Sequence, residues 1–145
     1  MRDFHPAVRM LMSRLSGLVR VEVVQGGREI GGVCLRVVDG DRVIMFDQGV
    51  RFSLMSRYYS SLIQPTGVPE LREIGVIPPR SAYEGVEALY VTHYHLDHLG
   101  LLGAVPRKVE VLVPSKPFLD SVMTEWYGSS TSWLAWTLPK YYVKV

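Results

Sequence analysis

The stretch VTHYHLDHLG, residues 91–100, holds three of the chain's four histidines within six positions, with an aspartate between the last two. It follows VEALYV, a nearly continuous apolar run that reads as a strand buried on both faces. In an extended chain, residues two apart point to the same side, so His93 and His95 can reach one point in space. Asp97 and His98 fall where the strand gives way to a helix and can aim at a second, neighbouring point. Imidazoles and a carboxylate are donors that zinc, iron or manganese accept. A chance surface or core position is the plainer reading of any single histidine. It does not explain His-x-His-x-Asp-His at a strand end.

The rest of the chain must place that strand end in a folded core. At 145 residues, with 48% hydrophobic and 21% charged residues, the sequence suits one globular domain. No apolar run approaches the roughly 20 residues that span a bilayer, so no membrane partner is expected. Arg9 and Arg14 interrupt any signal-peptide core. The single cysteine, Cys34, allows no internal disulfide and fits a reducing cytoplasm. Its apolar neighbours mark it as a small buried hydrophobe. A net charge of +2 is too small to argue for nucleic acid by itself.

Val8, Leu11, Met12, Leu15 and Leu18 recur at helical spacing and predict an amphipathic N-terminal helix over residues 1–18, docked on its own domain. VRVEVVQGG then reads as a strand, and GVCLRVVDGDRVIMFDQG as two strands joined by a hairpin at Asp39-Gly40. Leu54, Met55, Tyr58, Tyr59 and Leu62 keep helical spacing up to Pro65. A long loop rich in proline and glycine follows, with one short helix around Leu71. Beyond the histidines come a short helix in LGLLGAVP and a strand in VEVLVP. SKPFLDSVMTEWYG is a helix with Ser115 as N-cap, and YYVKV a last strand. Trp126, Trp133 and Trp136 are expected to pack apolar surface near the C-terminus. QGGREIGG lacks the Lys-Ser/Thr of a phosphate loop and reads as a turn passing close to the site.

THYHLDHLG resembles the His-x-His-x-Asp-His signature of the metallo-β-lactamase superfamily, and MFDQG resembles its earlier strand-end aspartate motif. GGREIGG is similar to the glycine-rich opening of the β-CASP nuclease branch, and SSLIQPTGVPELREIGVIPP to a loop of archaeal ribonuclease J-like members. The match runs in order over roughly residues 19 to 127. It implies an α/β fold, the αββα sandwich, of which residues 19–145 carry the N-terminal half with the first metal motifs. It implies two metal ions in a complete site, Zn2+ with Mn2+ or Fe2+ as alternatives. His93 and His95 would ligate the first, and Asp97 and His98 the second. Asp47 and Asp97 would be the catalytic carboxylates, with Asp47 just behind the ligands. Without the family, Asp47 reads equally well as an Asx turn before Gly49.

The pattern is incomplete. The superfamily takes further histidines and a bridging aspartate from later strands. No histidine follows His98, and Asp120 is the only later aspartate, on a predicted solvent-facing helix. The 145 residues therefore read as the N-terminal portion of a longer enzyme. The implied function is a cytoplasmic metal-dependent hydrolase, a ribonuclease cleaving phosphodiesters with a metal-bound hydroxide, and RNA is its implied partner. Arg51 and Arg57, beside Tyr58 and Tyr59, are candidate substrate-binding residues for a phosphate backbone and stacked bases. The plainer reading is a helix whose tyrosines pack inward. Two rivals stay open: a small-molecule hydrolase for a thioester, lactone or lactam, and a non-catalytic fragment with half a metal site. The missing sandwich half leads us to expect self-association, including homo-oligomers.

Overall fold

The computed structural model describes residues 18–60, 62–127 and 143–144, with backbone alone for 126, 127, 143 and 144. Residues 1–17 of the expected N-terminal helix over residues 1–18, Trp133 and Trp136, and the Trp126 side chain lie outside the described residues.

Three strands open the chain: β1 (Arg20–Gln25), β2 (Cys34–Asp39) and β3 (Arg42–Phe46). They pair antiparallel in sequence order. Asp39 pairs with Arg42, so the hairpin loop is Gly40-Asp41, one residue later than Asp39-Gly40. Gly40 carries the positive φ of 58° that the tight turn demands. Helices α1 (Phe52–Tyr58) and α2 (Val68–Glu73) fill the long connection to β4 (Val86–Tyr90). That connection lets β4 lie parallel to β3, which a tight turn could not do. Helix α3 (Leu96–Leu99) and a 3-10 turn at Leu102–Ala104 lead to β5 (Glu110–Leu112), parallel to β4. Helix α4 (Lys116–Tyr127) follows, and the two-residue β6 (Val143–Lys144) extends the sheet beside β5. The chain is thus mixed α/β with strands in sequence order, and the described residues form one sheet.

The main core gathers Met45, Leu89, Val111 and Tyr83 with Leu119 and Met123 of α4. Each fully buried aliphatic side chain of this kind stabilises by roughly 1.5–3 kcal/mol. A second cluster joins Met55 of α1 and Leu71 of α2 to Val50, Val76, Ile77 and Leu101. It clamps the long connection to the segment after the histidines. In β4, Ala88 and Leu89 are both buried although they face opposite sides, whereas Tyr90 is exposed. Ser115 caps α4, its Oγ accepting the Phe118 N–H at 3.4 Å.

Helix α1 stops at Tyr58, short of the periodic run to Leu62. Only Met55 is buried in it, and Leu62 is 93% exposed. The stripe had too little core to face, so the period alone overestimated the helix.

Candidate metal centre

The site forms because β3 and β4 are neighbouring parallel strands whose C-terminal ends lie side by side, a common place for ligand sites in open α/β sheets. Residues 47–50 leave β3 and zip onto the segment leaving β4. Asp47 N–H donates to Tyr90 O at 2.9 Å, Gln48 N–H to His98 O at 2.8 Å and Val50 N–H to Leu96 O at 2.9 Å. Val33 joins from the other side, donating to Asp97 O at 3.0 Å and accepting from Gly49 at 2.8 Å. Such close backbones require glycine. A Cβ on Gly49 would lie 1.7 Å from Asp97 O, and one on Gly100 1.9 Å from Gln48 O. Gln48 is buried beneath, its amide donating to Leu99 O at 2.8 Å and accepting from the Tyr83 hydroxyl at 2.6 Å.

Asp47 is the one described non-glycine residue with positive φ, 59°. Aspartate tolerates this conformation better than most residues, and here tertiary bonds hold it. Its carboxylate is buried and accepts from Thr92 N–H at 2.8 Å and from the Thr92 hydroxyl at 2.8 Å. It also meets His98 Nδ1 at 2.8 Å. A carboxylate oxygen accepts, so Nδ1 of His98 carries a proton, and in the neutral ring Nε2 keeps its lone pair. The Thr92 hydroxyl spends its hydrogen on Asp47. His93 Nδ1, 3.0 Å from Thr92 Oγ1, is then the donor of that pair, which frees His93 Nε2 as well. These two partners are the kind that fix the tautomer and ring angle of metal-binding histidines.

The rings cluster. His93 and His98 have centroids 3.9 Å apart, and His93 and His95 meet edge-on at 5.0 Å. His98 Nε2 is 3.8 Å from Asp97 Oδ2. Between the histidines, Tyr94 turns into the core, its hydroxyl donating to Ser115 O and accepting from Ser115 N–H, both at 2.6 Å. That anchor keeps His93 and His95 on the opposite side. Gly31 abuts Asp97, since a Cβ there would lie 2.6 Å from Oδ2. Thr92, Gln48 and Tyr83 escaped the sequence reading. Thr92 carried one signal, its place beside His93 at the end of an apolar strand.

The donors suit a transition metal by type. Among the described residues no group of three or more His, Cys, Asp or Glu is disposed to hold an ion. Asp120 lies on α4 and pairs with Lys116 at 2.7 Å, away from the cluster in role. Cys34 is fully buried beside the site, and burial, with the nearby Asp47, pushes its thiol up to about 12.

Beside the site lies an open cleft of about 690 Å³, lined by Arg28, Glu29, Arg51, Ser53 and Arg57 among others. Arg51 and Arg57 both reach it, but in different states. Arg51 pairs through Nε with Glu29 and donates through Nη1 to Gly75 O at 3.2 Å. It braces the glycine loop rather than standing free for substrate. The Ser53 hydroxyl donates to the same carboxylate. Chiefly that bond, with Arg51 beside it, holds Glu29 below the usual carboxylate range. Arg57 is exposed. Tyr58, 53% exposed, does not pack inward, whereas Tyr59 packs against the second core cluster.

No family model matches this chain. A stretch of 104 residues, 70% of the chain, is 25% identical to ribonuclease J of Pyrococcus abyssi (strain GE5 / Orsay). The match spans 23% of the length of that relative. The chain is therefore distantly similar to ribonuclease J over most of its own length.

Proposed function

We propose that this chain carries the first half of a metal-dependent hydrolytic centre, and that the whole protein is a nuclease acting on RNA, with the metallo-β-lactamase sandwich as its fold. The observation that supports this most is the Asp47–His98 and Thr92–His93 pairing at adjacent strand ends, together with the similarity to ribonuclease J. His93, His95, Asp97 and His98 would hold zinc, or manganese or iron in its place. Such an ion, when bound, acts as a Lewis acid and activates water for attack. The chain's own residues prepare for that. Asp47 fixes His98, and Thr92 fixes His93, each with Nε2 free. Gly31 and Gly49 bring backbone against Asp97 and so limit where its carboxylate can go. Arg57, exposed in the adjoining cleft, is placed to meet a phosphate. No described helix is long and apolar enough to cross a membrane. The cytoplasm, as a reducing compartment, is part of the same proposal.

The incomplete donor group gives one other reading support, a half-site that does no chemistry in this chain alone. A panel on the whole protein decides between the readings: a labelled RNA oligonucleotide, a chromogenic lactam and a glutathione thioester, each with zinc or manganese. We expect turnover of RNA alone. Turnover of only the small molecules would move the protein to the rival hydrolase class, and no turnover at all would leave the non-catalytic reading.

A further inference from the structure

A second cationic cleft, of about 550 Å³, opens between α2, the 3-10 turn Arg80–Tyr83 and the loop after Gly103. Its lining shares one residue with the support of the strand-end cluster, the buried Tyr83, and none of the histidines or aspartates. Arg72, Arg80, Arg107 and Lys108 all line it, against one acid, Glu84. Arg80, Arg107 and Lys108 are exposed, and no carboxylate among the described residues pairs with any of them. Arg72 is committed deeper: Nη2 donates to Ala104 O, the guanidinium lies 6.0 Å from the Tyr83 ring centre, and Nε is buried without a partner. Burial pushes the Arg72 guanidinium down from its ordinary value, against the opposing pull of Tyr83, and the like charge of Arg80 adds to the fall. Four cations lining one cleft against a single acid, one of them partly desolvated, make a field that suits a multiply charged anion.

We propose that this cleft is a separate binding site for a phosphate-bearing ligand, gripped through two or more phosphates rather than through a base. Guanidinium groups match phosphate oxygens with paired N–H donors, and the lysine adds a mobile charge. The volume suits a small ligand or a short run of backbone. A base would find no platform. The aromatic ring here, Tyr83, is buried and lies beneath Arg72. A free polyphosphate and the backbone of a nucleic-acid strand share this chemistry. The site stands independently of the metal centre, so either can fail without the other.

The test is calorimetric titration of inorganic triphosphate into the whole chain, with chelator present to silence the metal centre. The variant Arg80→Gln/Arg107→Gln/Lys108→Gln changes only exposed side chains and should melt like the wild type. It should bind triphosphate at least tenfold more weakly. An Arg20→Gln/Arg42→Gln variant, altering exposed arginines that line neither cleft, should bind as the wild type does. Competition then assigns the source: displacement by a single-stranded oligonucleotide marks a nucleic-acid strand, and its failure marks a free polyphosphate. Absence of binding by the wild type, unchanged affinity in the triple variant, or an equal loss in the control would overturn the proposal.

Discussion

At the scale of single residues, the site is a set of orientations rather than a set of charges. His98 and His93 owe their free Nε2 atoms to Asp47 and Thr92. Asp47→Asn keeps the size and tolerates the φ of 59°, but its amide can present –NH2 to His98. We expect it to lower zinc affinity about 10–100-fold, as loss of an outer partner does. An isotherm like that of the wild type would show that His98 does not need Asp47. Cys34 makes the opposite kind of prediction. Only the thiolate reacts with alkylating agents, and its thiol is pushed up to about 12. The native chain should resist iodoacetamide near neutral pH and take up one equivalent once unfolded, which intact mass will read directly. The glutamate strut has a pH sign. Glu29 is held below its ordinary value of 4.5, so its contribution is complete above that value and is lost as pH falls through the lower, folded one. Stability measured by urea melts across the acid range should therefore fall less steeply in Glu29→Gln than in the wild type.

At the scale of elements, the backbone crossing at the ends of β3 and β4 decides whether the site exists. Gly49→Ala would drive a methyl to 1.7 Å from Asp97 O, so the two segments must separate. We expect a loss of about 3 kcal/mol or more. Gly40→Ala shares only the positive φ, 58°, and meets nothing within 4 Å, so it should cost roughly 1–2 kcal/mol. Equal denaturation midpoints for the two would mean the crossing is not tight. These glycines also show what was legible in the sequence. The strands, α2, α4 and the Ser115 cap announced themselves through period and punctuation, because burial on one face writes a pattern into neighbouring positions. The tautomer-fixing pair Thr92–His93 and the internal pairing of Arg51 with Glu29 did not. Each depends on residues that the fold brings together, and Glu29 lies 22 positions from Arg51. The overlong α1 is the same lesson in reverse: helical spacing at Leu62 carried no promise of a core to face.

At the scale of the whole molecule, the described residues offer an open flank. Strand β1 is the edge of the sheet, and Val21 and Val23 on it are 59% and 58% exposed. Unpaired edges with apolar side chains favour association. Size-exclusion chromatography should show oligomers of the wild-type chain, shifted toward monomer in Val21→Lys/Val23→Lys with the melting transition retained. A strictly monomeric wild type would remove the argument. Calorimetric titration of zinc into the apo-chain tests most directly whether the histidine motif is a metal site. We predict saturable binding, weak because the donor group is incomplete. It should vanish in the His93→Ala/His95→Ala variant. An identical isotherm in that variant would contradict the account.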